Sequence, residues 1–116
     1  YLKNNFLKKN EIFTINKQSA IVVSKPTSGD KIKGKKGVYI SWTTNNDAGQ
    51  EVDIYYSLDE GTKWTFIKTL PASTGNMIWK VPDVEKSYPK CKVKIVSKKD
   101  KSLLGYSRGF FTIRSN

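Results

Sequence analysis

Five acids, Asp47, Glu51, Asp53, Asp59 and Glu60, fall within residues 44–62, a stretch with no lysine or arginine. Two such carboxyls facing each other across a cleft could hydrolyse a glycoside, one protonating the leaving oxygen and the other attacking or activating water. The same oxygens could hold a calcium ion. The spacing favours neither. Glu51 and Asp53 stand on the outward side of an alternating strand pattern, Asp59 belongs to a turn, and no recognised calcium loop is present. The 116-residue chain has no histidine, which removes the commonest general base and most zinc and iron sites. Its single cysteine, Cys91, alternates with Val93 and Ile95 and reads as a buried thiol, not a nucleophile. Lys33-Gly34-Lys35-Lys36-Gly37 lacks the glycine spacing of a phosphate-binding loop. The expectation is a protein without a catalytic site, a metal or a cofactor.

One motif has tight spacing. Ser57, Asp59, Gly61 and Trp64 match the Ser-x-Asp-x-Gly-x-x-Trp pattern of an Asp-box. Its chemistry is that of a hairpin. The carboxylate accepts backbone N–H groups of the turn, the glycine takes a positive φ, and the tryptophan opens the return strand with its ring against the turn. The pattern occurs on several folds and marks structure more than activity.

The second chemical feature is charge. The formal net charge is +11 with a pI near 9.8. Residues 86–108 carry a net +7, and Lys90, Lys92 and Lys94 project from one face of a strand at intervals of about 7 Å. With Lys98 and Lys99 they form a candidate surface for a polysaccharide or another polyanion of a cell envelope. Lysines on a strand also serve simply to keep sheet edges apart. Lys31, Lys33, Lys35 and Lys36 add a second basic cluster in what reads as a loop. Tyr55 and Tyr39 alternate away from the expected core and could stack against sugar rings, whereas the three tryptophans read as core or strand residues. Only two of the 21 basic residues are arginine, and no strand has the aromatic signature of an RNA-recognition sheet, so nucleic acid is not the expected partner.

These residues need strands to hold them. From residue 19 onward, short runs of period-2 alternation are separated by turn residues. They are Ala20–Ser24 before Pro26, Val38–Thr43, Val52–Ser57, Trp64–Leu70 before Pro71, Met77–Val81 before Pro82, Cys91–Val96, and Phe110–Ile113 after Gly109. No run has helical period. About seven short strands predict an all-β, two-sheet antiparallel sandwich. The core expected is Val22, Ile40, Trp42, Ile54, Tyr56, Trp64, Ile67, Trp79, Val93, Ile95, Phe111 and Ile113. Residues 19–116 make one domain. Residues 1–18 are a linker, an edge strand or the end of a preceding module, since Ile12-Phe13-Thr14-Ile15 echoes Phe110-Phe111-Thr112-Ile113. No apolar run is long enough for a transmembrane segment.

The order of these strand motifs resembles the Ser/Thr-rich, GPI-anchored membrane-protein family. That family is linked to β-1,6-glucan assembly in fungi, with related modules in bacterial surface and secreted proteins. The resemblance runs from Val23-Ser24-Lys25-Pro26 through Val38–Thr43, Val52–Asp59, Ile78–Asp83 and Cys91–Ile95 to Gly109–Ile113. It implies a fibronectin type III- or immunoglobulin-like sandwich, extracellular or at the cell surface. The expected role is that of a non-catalytic accessory or spacer module whose partners are neighbouring domains of the same chain. The alternative is a carbohydrate or anionic-polymer binding module using the lysine face. The shared positions are core and turn residues, so no ligand contact is carried over. No Ser/Thr-rich tail accompanies the motifs, so GPI attachment is not expected.

Overall fold

Val52, Ile54 and Tyr56 alternate with Glu51, Asp53 and Tyr55, and this period of two lets one strand bury one face and solvate the other. Repeated along the chain, the pattern yields nine strands in the computed structural model, which describes residues 20–116. The expectations for residues 1–18 lie outside the described residues. In chain order the strands are β1 (Ile21–Lys25), β2 (Lys31–Lys33), β3 (Gly37–Thr44), β4 (Glu51–Ser57), β5 (Thr65–Pro71), β6 (Asn76–Lys80), β7 (Tyr88–Ser97), β8 (Leu104–Tyr106) and β9 (Phe111–Arg114). Two single-turn 3-10 segments, Asn46–Ala48 and Ala72–Thr74, interrupt them. No helix among the described residues is long and apolar enough to cross a membrane.

The smaller sheet has the order β1-β3-β6 and the larger β2-β9-β7-β4-β5, with β8 joined to β7. Pairing is antiparallel except between β2 and β9, which run parallel with Ile32 opposite Ile113. Strand β7 organises the larger sheet. One edge pairs with β4 throughout Val52–Ser57, and the other is shared between β9 near Cys91 and β8 at Lys94–Val96.

Two of these strands differ from the sequence reading. Lys31–Lys33 lies in the segment expected to be a basic loop, and Leu104–Tyr106 was not expected at all. At three residues each, neither spans enough alternation to be read from pattern; both exist because a longer neighbour offers free N–H and C=O groups.

The inward faces of the sheets meet in a core that includes Ile21, Val23, Ile40, Trp42, Val52, Ile54, Trp79, Cys91, Val93, Ile95, Phe111 and Ile113. Aromatic packing joins the layers. Trp79 of the smaller sheet lies 5.0 Å, centroid to centroid, from Tyr56 and 6.4 Å from Phe111, both on the larger sheet. The Trp42 indole N–H donates to the Ala72 carbonyl at 3.0 Å, so its one polar atom is satisfied inside. Buried Ser97 donates to the Ala48 carbonyl at 2.7 Å, and Ser107 Oγ accepts the Val93 N–H at 2.9 Å.

Two residues expected in this core are elsewhere. Val22 is 45% exposed, because Ile21 and Val23 take the inward positions of β1. Three β-branched residues in a row leave the parity of that strand open until Val23 pairs with Trp42. Trp64 is half-buried and stands on the outer side of the larger sheet. Tyr56 and Ile67 are partly buried and pack against the core from its margin.

Candidate binding face

Ser57 is buried at the end of β4, where its hydroxyl sits beneath the turn that follows. Its Oγ donates to Asp59 Oδ1 at 2.8 Å and accepts the N–H groups of Gly61 at 2.8 Å and Asp59 at 3.2 Å. Asp59 Oδ1 also accepts the Lys63 N–H at 2.9 Å. The Lys63 backbone bond, with help from the Ser57 hydroxyl, holds the Asp59 carboxyl below the usual carboxylate range. Gly61 has φ +92°, and a Cβ there would stand 3.1 Å from Cζ2 of Trp64. Ser57, Asp59, Gly61 and Trp64 therefore come together in one turn, which delivers the Trp64 ring to the outer face of the larger sheet.

The lysines of β7 share that face but not one environment. Lys90 lies 3.8 Å from Glu60 in an exposed ion pair. Lys92 Nζ stands 5.3 Å from the ring centroids of both Tyr106 and Phe110. Lys94 Nζ stands 4.4 Å from the Trp64 ring and 5.0 Å from Tyr55, and partial burial pulls its pKa below the ordinary lysine value. Lys98 and Lys99 lie beyond β7, next to Gly49–Glu51: the Lys98 N–H donates to the Glu51 carbonyl at 3.0 Å, and the Lys99 side chain packs against Gly49. They are four and five residues beyond Lys94, past the end of β7 at Ser97, and stand beside Gly49–Glu51 instead of the rings that Lys92 and Lys94 face. Lys31 and Lys33 are exposed on edge strand β2, and Lys35 lies 4.0 Å from Asp83.

The register aligns rings with lysine. Phe66 on β5, Tyr55 on β4, Lys94 on β7 and Tyr106 on β8 are successive cross-strand partners. Tyr55 and Phe66 meet edge to face with centroids 5.6 Å apart, and Trp64 and Tyr106 are 5.9 Å apart. Phe66 is 54% and Tyr106 48% exposed. Tyr39 is exposed too, but it pairs with Ile78 on the smaller sheet and belongs to the opposite side of the sandwich.

Phe66, Tyr106 and Phe110 were not among the residues singled out from sequence, and Trp64 was assigned to the core. For Phe66 a signal existed. Counting the hairpin back from the Asp59–Thr62 turn, with one bulge, sets it opposite Tyr55. Tyr106 had none, since its strand is three residues long.

The acids of residues 44–62 are dispersed. Thr69 donates its hydroxyl to Asp53 across β4 and β5, Asp59 is held in its turn, Glu60 faces Lys90, and Asp47 lies in the 3-10 turn capped by Asn45. Among the described residues no three His, Cys, Asp or Glu side chains gather closely enough to hold a metal ion. Cys91 is fully buried, and burial pushes its thiol up to about 11.

Neither a protein-family model nor a curated protein matches this chain. Among solved structures it is similar to the fibronectin(III)-like modules of Clostridium thermocellum CbhA, with a TM-score of 0.52 and 18% identity, covering 83% of this chain and 95% of that one. The sheet order and this likeness define the class: an all-β, two-sheet, fibronectin type III-like sandwich.

Proposed function

We propose that this chain is a non-catalytic accessory module of a larger extracellular or cell-surface protein, a spacer that sets the position of neighbouring domains in the same chain. The observation that carries the reading is the commitment of Asp53, Ser57, Asp59 and Cys91 to the fold. Asp59 and Ser57 build a turn, Asp53 holds Thr69, and Cys91 lies in the core. The structural likeness to the fibronectin(III)-like modules of CbhA supports an accessory role. The order of strand motifs, which resembles that of the Ser/Thr-rich, GPI-anchored family, supports a place outside the cell.

The test replaces residues 20–116 of the parent protein with a flexible linker. A spacer leaves the neighbouring domains' action on small soluble substrates unchanged and lowers their action on surface or polymeric substrates. Turnover of a glycoside by the isolated chain, lost on Asp53→Asn or Glu51→Gln, overturns it.

A second reading, a module that binds carbohydrate or an anionic polymer, is favoured by one observation: Lys92 and Lys94 stand among four aromatic rings on a solvent-facing sheet.

A further inference from the structure

We propose that the outer face of the larger sheet binds an acidic polysaccharide, a chain of carboxylated sugars, through the cross-strand row Phe66, Tyr55, Lys94 and Tyr106 together with Lys92. This inference rests on the second reading above and specifies both its ligand class and its residues. Phe66 and Tyr106 mark the two ends of a row that crosses four neighbouring strands, a width of about 14 Å. Both rings are about half exposed, and Lys94 lies between them. A short oligosaccharide laid across the strands would meet an aromatic ring, an ammonium and a second ring in turn.

The chemistry selects among ligands. A sugar ring has an apolar C–H face that can stack on phenyl or phenol, as aromatic binding sites use their rings. A carboxylate on the same sugar supplies the charge that Lys92 and Lys94 lack, for neither has an acidic partner within salt-bridge distance among the described residues, whereas Lys90 is paired with Glu60. An acidic peptide would satisfy the ammonium groups and leave Phe66 and Tyr106 uncovered. A neutral sugar would cover the rings and leave the ammonium groups unpaired. Single-stranded nucleic acid needs ring faces in file on which bases stack. Here the two exposed rings of the row, Phe66 and Tyr106, stand about 14 Å apart with Tyr55 and Lys94 between them, too far for consecutive bases to stack on both. Lys98 and Lys99 lie off the row and are excluded from the site.

The experiment measures binding of the 116-residue chain to polygalacturonate, to the same polymer fully methyl-esterified, to polyglutamate and to a single-stranded oligonucleotide, at low and moderate salt. The expected result is tightest binding to polygalacturonate, weakened but not abolished by salt. Lys92→Gln/Lys94→Gln and Tyr106→Ala should each reduce it about tenfold or more, Phe66→Ala several-fold, and Lys98→Gln/Lys99→Gln less than twofold. Because each substitution lies on the solvent face, circular dichroism checks that the fold is kept; Tyr106→Ser and Lys94→Met are the substitutes where it is not. Equal binding of the methyl ester or of polyglutamate overturns the acidic-sugar assignment but leaves a binding module. Preference for the oligonucleotide replaces the ligand class. Loss through Lys98 and Lys99 instead of Lys92 and Lys94 overturns the site. Failure to bind any of the four overturns both this inference and the second reading, and leaves the spacer.

Discussion

At the scale of single residues, environment decides chemistry more than identity does. Lys90, Lys92, Lys94, Lys98 and Lys99 carry the same group, yet one pairs with a carboxylate, two stand over rings and two lie in the β7–β8 connection beside Gly49–Glu51. Cys91 shows the same principle. It lies across from Phe111, is 0% exposed, and its Sγ donates weakly to the Tyr88 carbonyl at 3.3 Å. The folded thiol stays protonated up to about 11, whereas an unfolded thiol ionises near 9. Between those values the unfolded chain binds fewer protons than the folded one, so this group's contribution is complete below about pH 9 and lost as pH rises towards 11. The loss amounts to about 2–3 kcal/mol. In denaturant melts between pH 8 and 11 the wild type should therefore lose stability more steeply than Cys91→Ala, so that the gap between them narrows as pH rises. At pH 8 the thiol should react with a disulfide reagent only at the rate of unfolding. Immediate labelling of the native protein would contradict this burial.

The β4–β5 hairpin shows how one element serves both stability and a surface. Ser57 Oγ accepts two backbone N–H groups from the turn, and Asp59 accepts a third. With the turn closed, Trp64 emerges beside Lys94, and Phe66 falls opposite Tyr55. Gly61→Ala should destabilise the protein by about 1–2 kcal/mol, since it combines a positive φ with a methyl pressed onto the Trp64 ring. Ser57→Ala should cost about 1–2 kcal/mol by leaving the partly buried Asp59 and Gly61 N–H groups of the turn without their acceptor. Urea denaturation measures both. If the Trp64 ring is moved, its fluorescence shifts as well; a Gly61→Ala protein as stable as wild type would mean that the turn tolerates another backbone path.

The whole molecule stands on contacts between layers. Trp79 is the residue through which the three-stranded sheet reaches Tyr56 and Phe111 of the other sheet. Trp79→Ala should cost about 3–5 kcal/mol and lower the melting midpoint by about 15 °C or more. Ile78→Ala, one residue away but 63% exposed on the outer side, should change stability by no more than about 0.5 kcal/mol. Calorimetry of the pair separates the core role from local strand propensity. At the edge of the larger sheet, exposed Lys31 and Lys33 flank Ile32 on β2, an arrangement that discourages a second chain from adding there.

Alternation alone, a local property with period two, was enough to place β3, β4, β6 and the centre of β7 and to pick out Ile40, Ile54, Val93, Ile95 and Ile113 as core. The absence of histidine and the spacing from Ser57 to Trp64 were equally local and readable. Tertiary structure alone decided the parity of Ile21-Val22-Val23, the existence of β2 and β8, and the outward placement of Trp64. It also decided which lysines stand beside aromatic rings and which one pairs with a carboxylate. Lys90, Lys92 and Lys94 look alike along a strand, but their partners arrive from β8, from Phe110 and from the turn after β4, about 14 to 30 residues away in sequence. A period states which side of a strand a residue faces. Only the register between strands states what stands beside it.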